Sequence, residues 1–212
     1  MIFDLDGVLV DSRATITRSL NAALLAHDHP EIPAADLLRF IGPPIHAVFE
    51  ELLAPWGHLD LVDSCVASYR AHYDAHLDAT TVVEGIGPLL EELAGMLPLA
   101  VATSKPLPVA EVVLGTSGLA RYFSAVAGPA LEARNEPKST TLARALATLG
   151  VTGPSATDVM VGDRYHDVEA ALAQGVRPLG VTWGIGTEEE LRVAGAETIV
   201  HHPAELVPLL LA

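Results

Sequence analysis

Met1-Ile2-Phe3-Asp4-Leu5-Asp6-Gly7-Val8-Leu9-Val10-Asp11-Ser12 opens the chain. Apolar residues run straight into two carboxylates and a glycine, then into a second apolar run, which predicts a buried strand ending at Asp4. Gly7 permits a tight turn immediately after it. A strand end leading into a loop can turn both Asp4 and Asp6 toward one crevice, and in open α/β sheets ligands bind outside the carboxyl ends of the strands. A nucleophilic carboxylate beside an acid/base carboxylate suits phosphoryl transfer through an aspartyl-phosphate. Acids in such a place also simply cap turns, so this stretch decides the fold before it decides the chemistry.

The rest of the chain fits an α/β protein. From Glu84 onward, apolar strand patterns alternate with helical ones: a helix over 85–96, a strand over 99–103, a helix over 107–117, a short strand over 125–128 and a helix over 139–149. A strand over 158–161, a helix over 166–174, a strand over 179–182, a helix over 187–194, a strand over 198–200 and a last helix from Pro203 follow. This order predicts a doubly wound, Rossmann-like parallel sheet.

Between the first strand and this series the pattern is helical throughout. Ile16, Leu20, Ala23 and Leu24 share one face, and further helices are expected over 34–40, 44–54 and 60–78, separated by Gly42-Pro43-Pro44 and Pro55-Trp56-Gly57-His58. An ordinary crossover is far shorter. The expectation is therefore an inserted α-helical cap over 14–80 on a core of 1–13 and 81–212, with linkers at Asp11-Ser12 and Thr80–Val83. Such a cap could close over the site and exclude water.

Composition narrows the function. The formal charge is -15, which disfavours nucleic acid and anionic membranes as partners, and no basic patch offsets it. No apolar run approaches the ~20 residues of a membrane helix, and no basic leader precedes the apolar start. Cys65 is the single cysteine, expected as a buried small hydrophobe. Together these favour a cytoplasmic protein; whether it is a monomer or homodimer is left open by the sequence. An anionic substrate on so acidic a chain requires a local cation. Only Lys105 and Lys138 are lysines among twelve basic residues, which marks them as places where a compact ammonium is wanted rather than a guanidinium fork.

Three further stretches carry chemistry. Val101-Ala102-Thr103-Ser104-Lys105-Pro106 is a strand ending in hydroxyls, where Thr103 can donate to a phosphoryl oxygen and Ser104 and Lys105 share the loop; Thr and Ser also cap helices. Glu136-Pro137-Lys138-Ser139 puts Lys138 at a helix N-terminus, where a cation opposes the helix dipole and gains no evident structural benefit. Val159-Met160-Val161-Gly162-Asp163-Arg164-Tyr165-His166-Asp167 runs a strand into Gly-Asp with a second Asp four residues on. Hard divalent cations take carboxylate oxygens, and Mg2+ uses only one or two acids while keeping several waters. Asp4 and Asp163 are then direct ligands with the Asp6 carbonyl, and Asp167 an outer or occasional ligand.

Taken in order, Asp4-Leu5-Asp6-Gly7-Val8, Thr103, Lys138 and Gly162-Asp163 with Asp167 resemble all four motifs of the haloacid dehalogenase-like superfamily. The resemblance spans residues 1 to about 183, and the helical insert sits where that family carries an alpha-helical cap. Gly180-Val181-Thr182-Trp183-Gly184-Ile185-Gly186-Thr187 with the helix after it, and Phe40-Ile41-Gly42-Pro43-Pro44 in the cap, look like phosphoglycolate phosphatase-like members.

The resemblance implies a Mg2+-dependent phosphatase in which Asp4 attacks phosphorus, Asp6 handles the proton, and Thr103 and Lys138 bind the phosphoryl group. Gly7, Ser104, Lys105 and, from the cap, Arg39 are expected around the substrate, with Arg13 and His46 as further candidates. His72 and His76 have the i, i+4 spacing of a metal pair but lack further ligands, so solvent-facing histidines are expected there. The substrate is a small phosphorylated metabolite: phosphoglycolate, a sugar phosphate or a nucleotide. A phosphosugar mutase and a catalytically idle binding protein are the alternatives.

Overall fold

The computed structural model describes residues 1–211 apart from Pro154 and Ala156; Ala212, the end of the expected core, lies outside them. Six short strands form one parallel sheet in the order β5-β4-β1-β6-β7-β8. They are β1 (Ile2–Phe3), β4 (Ala100–Ala102), β5 (Ala125–Ala127), β6 (Val159–Gly162), β7 (Arg177–Val181) and β8 (Thr198–Val200). The first strand is central. Ile2 pairs with Ala100 on one side and with Met160 on the other, and the chain builds outward in one direction and then in the other, which is the doubly wound arrangement.

The period-2 alternation of the strands decides which side chains meet which helices. Phe3 and Val101 turn to one face, where they pack with Leu90 and Leu93 of α5 (Ile86–Ala94), Val113 and Leu114 of α6 (Leu107–Thr116), and Leu206 of α10 (Leu206–Leu211). Ile2, Ala100 and Met160 turn to the other face, against Leu142 and Leu146 of α7 (Lys138–Thr148) and Ala170 and Ala171 of α8 (Tyr165–Ala173). With both faces covered, the strands read as continuous apolar runs, as buried parallel strands do. Helix α9 (Glu188–Ala194) closes the β8 side, capped by Thr187, whose hydroxyl accepts from the Glu190 amide.

Helices α1 (Arg13–Ala26), α2 (Ala34–Leu37), α3 (Ile45–Leu53) and α4 (Val62–Ala75) enclose an apolar cluster of their own, with Leu20, Leu24, Phe49, Leu53 and Cys65 almost fully buried. Cys65 is free and buried. The chain enters and leaves this helical segment through an antiparallel ribbon of β2 (Val10–Asp11) and β3 (Thr81–Val82), with Val10 facing Val82 and Asp11 facing Thr81. The sequence reading has plain linkers there. Two-residue strands separated by a long, mostly helical segment have no local period to betray them. No helix among the described residues is long and apolar enough to cross a membrane.

Candidate active site

Three neighbouring strand ends supply the site. Asp4 follows β1, Thr103 follows β4 and Asp163 follows β6, and since β1 lies between the other two, strand spacing places Thr103 and Asp163 on either side of Asp4, each about 5 Å away across the sheet. One carboxylate oxygen from each of Asp4, Asp163 and Asp167 lies within 4.8 Å of the others, and all three residues are buried. Lys138, the first residue of α7, reaches Asp4 Oδ1 at 2.7 Å and Asp167 Oδ1 at 2.6 Å.

The glycines explain how the acids pack so tightly. Gly7 has φ +84, and a Cβ there would overlap Asp163 Oδ2. A Cβ on Gly184 would overlap the same carboxylate. Asp163 Oδ2 accepts the Ile185 amide at 2.7 Å, and the Trp183 indole donates to the Val8 carbonyl at 3.1 Å, so the stretch after β7 forms one wall of the site. Asp167 Oδ2 accepts the Arg164 amide at 3.1 Å and caps α8.

Electrostatics point to a missing positive charge. Burial first, and then the neighbouring acid Asp167, raise Asp4 to about 7 against the pull of Lys138. Burial, reinforced by Asp167 and Asp4, pushes Asp163 well above the usual carboxylate range. Burial works against the Lys138 ammonium, but Asp167 and Asp4 outweigh it and its pKa lies above the ordinary lysine value. One ammonium among three acids leaves Asp163 Oδ1 buried without a hydrogen-bond partner among the described residues. Hard carboxylate oxygens, an orphaned lone pair and net negative charge fit a divalent cation.

Asp6 lies beside this cluster. Its carboxylate accepts the Ser12 hydroxyl at 2.6 Å and meets the Lys105 ammonium at 2.9 Å. Lys105 also donates to the Tyr73 hydroxyl of α4 at 2.9 Å, tying the strand-end loop to the helical segment. Burial lowers the Lys105 pKa, yet Asp6 and the two tyrosines Tyr73 and Tyr69 more than reverse it. Thr103 Oγ1 accepts the Lys105 amide at 3.1 Å.

Asp4, Asp6, Thr103, Ser104 and Lys105 all line one pocket that is walled on its far side by the helical segment. Arg39 does not line it. Its guanidinium is exposed, pairs with Glu51 at 3.0 Å and lies over the Phe40 ring. It therefore points away from the site that the sequence reading gives it. The Gly7 amide donates to the Val10 carbonyl at 2.8 Å, and the missing Cβ leaves space for Asp163. Arg13 pairs with Asp11 and borders a different hollow, beside β3. His46 is buried near Asp63 at 3.8 Å, outside the pocket lining. His72 and His76 stack on each other, and His72 is half-buried against Ser19 at 2.9 Å rather than facing solvent. Among the described residues the acids Asp4, Asp163 and Asp167 are the grouping that could hold a metal.

Sequence reasoning missed Arg70, Tyr69, Tyr73 and Arg134, which line the pocket, and Ser12 and Arg164. The Arg164 guanidinium is buried, bonds Glu190 at 2.8 Å and donates to the Ile41 carbonyl, holding the Phe40–Pro44 loop over the pocket.

A doubly wound parallel sheet with buried acids and one ammonium at its topological switch point defines a hydrolase scaffold suited to phosphoryl chemistry. The chain belongs to the haloacid dehalogenase-like hydrolases, whose family model matches residues 1–181. It is an enzyme of the family's phosphatase kind, with phosphatases among its relatives and its solved structural neighbours. It is 38% identical to the tyrosine-protein kinase PtkA of Mycobacterium tuberculosis, over 95% of this chain and 68% of that protein. It is 35% identical to a 5'-nucleotidase of Pseudomonas aeruginosa, over 99% and 92% of the two chains. Phosphoglycolate phosphatases of Pectobacterium and Yersinia are similar at 28% and 30%. Among solved structures, a protein described as a predicted phosphatase from Clostridium acetobutylicum superposes with a TM-score of 0.90 at 34% identity, covering 99% of this chain and 96% of that one.

Proposed function

We propose that this protein is a Mg2+-dependent phosphatase that hydrolyses a small phosphomonoester through an aspartyl-phosphate on Asp4. The observation that carries this reading is the double membership of Asp4. Its carboxylate belongs to the acid cluster with Lys138 and also opens, with Asp6 and Thr103, onto the pocket.

Asp4, Asp163 and the Asp6 carbonyl would hold the cation, with Asp167 outside them or as an occasional ligand. When bound, the cation screens phosphate charge and keeps Asp4 ionised. The chain's own residues do the rest. The Thr103 hydroxyl and the Lys138 ammonium orient the phosphoryl group, and Ser104 and Lys105 border it. An Asp4 oxygen attacks phosphorus, the bond from phosphorus to the alcohol breaks, and Asp6 gives its proton to the departing alkoxide. Asp6 then takes a proton from water as the water oxygen bonds to phosphorus, and the Asp4–phosphorus bond breaks to release phosphate. Ser12 and Lys105 fix the Asp6 carboxylate between them. Positioning and electrostatics supply most of the acceleration in such a transfer.

Residues 14–80 act as a cap on a core of 1–13 and 81–212, hinged at the β2–β3 ribbon. Arg70 and Arg134 support this, because they bridge from α4 to the Leu131 carbonyl and from the core loop to Asp63, each at 2.7 Å. A kinase reading has the similarity to PtkA in its favour. It shares the first half of the reaction and differs in the acceptor.

The test is phosphate release from p-nitrophenyl phosphate with and without Mg2+, and with Asp4→Asn. Metal-dependent turnover that Asp4→Asn abolishes while its thermal unfolding stays cooperative is expected; substantial hydrolysis by that variant would refute the role of Asp4. Incubation with ATP and a tyrosine-bearing protein distinguishes the kinase reading, which requires labelled acceptor instead of free phosphate.

A further inference from the structure

Asp6 is held from two sides. Its Oδ1 accepts the Ser12 hydroxyl at 2.6 Å and its Oδ2 meets the Lys105 ammonium at 2.9 Å. The carboxyl group of an aspartate turns about a broad, shallow torsion, so these two contacts, and nothing covalent, decide which way its oxygens face. A proton donor works only within hydrogen-bond reach of the atom that receives the proton, and a small error of placement lowers the rate steeply.

Lys105 needs holding in turn. Its ammonium stands at the end of a flexible four-carbon stem, and a single acceptor would leave that stem free to turn. The second acceptor comes from the helical segment: the Tyr73 hydroxyl of α4 lies at 2.9 Å, and the ammonium is 4.5 Å from the centre of the Tyr73 ring. Tyr73 is itself fixed, only 3% exposed and stacked on Tyr69 with 5.8 Å between ring centres. Lysine and aspartate would balance their charges without it. The hydroxyl adds direction rather than charge. Asp6, Lys105 and Tyr73 all border the pocket onto which Asp4 opens, so this support lies beside the bound ester and not behind the site.

We infer that Tyr73 is a positioning residue for the proton transfer: through Lys105, its hydroxyl sets the Asp6 carboxyl group toward the oxygen that leaves phosphorus. This deepens the phosphatase reading and rests on it. The consequence is selective, because an alkoxide departs only as it is protonated, whereas nitrophenolate is a weak base that departs without help. A misdirected Asp6 therefore impairs the cleavage of alkyl esters and spares nitrophenyl esters.

Benzyl, phenyl and p-nitrophenyl phosphate carry rings of similar size on leaving oxygens of falling basicity, and kcat/KM for the three, with Mg2+, makes the test. It reports the steps up to loss of the alcohol, so the later hydrolysis of the aspartyl-phosphate, in which Asp6 also acts, does not enter. Tyr73→Phe, which keeps the ring, should lower kcat/KM for benzyl phosphate about tenfold more than for p-nitrophenyl phosphate, the loss of one charge-assisted hydrogen bond, with phenyl phosphate between them. Lys105→Met should show the same order, and adding Tyr73→Phe to it should change nothing further, since the hydroxyl then has no ammonium to hold. If Lys105→Met unfolds, the ratio in Tyr73→Phe decides by itself. Equal losses for the three esters, unchanged ratios in Tyr73→Phe, or losses that multiply in the double variant overturn the inference and leave the phosphatase standing. No phosphate release from any of the three by the parent protein overturns both.

Discussion

Replacing Lys138 by Met tests the electrostatic account of the site most directly. The change fills nearly the same volume but removes the ammonium that lies 2.7 Å from Asp4 and 2.6 Å from Asp167. Without metal, three buried carboxylates then face one another with no cation. Deleting one member of a buried pair costs about 3–5 kcal/mol. Protonation sets a ceiling, since an orphaned acid can take up a proton for about 1.4 kcal/mol per pH unit above its pKa. Asp4 stands at about 7 with Lys138 present, against 3.8 for an ordinary aspartate, and the ammonium is among the groups that hold it down.

The sign follows from that shift. A carboxylate whose pKa is higher folded than unfolded binds more protons in the folded protein, so its contribution to stability falls as pH rises from about 4 through the folded value. The Lys138→Met penalty should therefore be about 3–5 kcal/mol near pH 8.5 and less than half of that near pH 5.5, where Asp4 is protonated in the variant. Urea unfolding of both metal-free proteins at the two pH values measures it, provided the slopes agree. Excess Mg2+ at the higher pH should stabilise the variant more than the parent. A loss below about 1 kcal/mol, as for an exposed ion pair, or one equal at both pH values, would refute the proposed balance of charges.

Gly7→Ala puts a methyl group onto Asp163 Oδ2 from a backbone at φ +84; a loss of about 1–3 kcal/mol and weaker Mg2+ binding by calorimetry are expected, and parental values would contradict the packing described. Arg39→Ala removes an exposed pair with Glu51, so stability should change by less than about 0.5 kcal/mol and kcat/KM hardly at all, whereas a large kinetic loss would return Arg39 to the substrate site. Because the cluster holds protons that a cation must displace, Mg2+ binding near pH 7 should release protons, measured from the heats in buffers of different ionisation enthalpy. Its apparent affinity should fall as pH drops through about 7, the value of Asp4; binding without proton release would argue against the raised carboxylates.

The core was legible in the sequence because each of its chemical residues terminates an apolar strand. Asp4, Thr103 and Asp163 are separated by about a hundred and then sixty residues, yet a parallel sheet with β1 at its centre leaves them no other place to go. Lys138 was legible for a different reason, as a cation at a helix start where the dipole opposes it. The β2–β3 ribbon was not, since its pairing is long-range and its strands are too short for a period.

The far wall of the pocket shows where pattern stops and packing begins. Residue type marks both Arg39 and Arg70 as candidate anion readers, and only their neighbours separate them. Helix α4 buries Val62, Cys65, Val66 and Tyr73 along one stripe, with Tyr69 packed beside them. Arg70 lies three residues before Tyr73 and one after Tyr69, at the rim of that stripe, where a long side chain skirts apolar surface and carries its charge to the edge of a cavity. Arg39 sits in a single turn after α2, with no buried stripe to border and with Glu51 at hand. What separates the two arginines is packing and pairing, which the helical period does not report: Arg70 lines the pocket, whereas Arg39 pairs with the exposed Glu51 outside it.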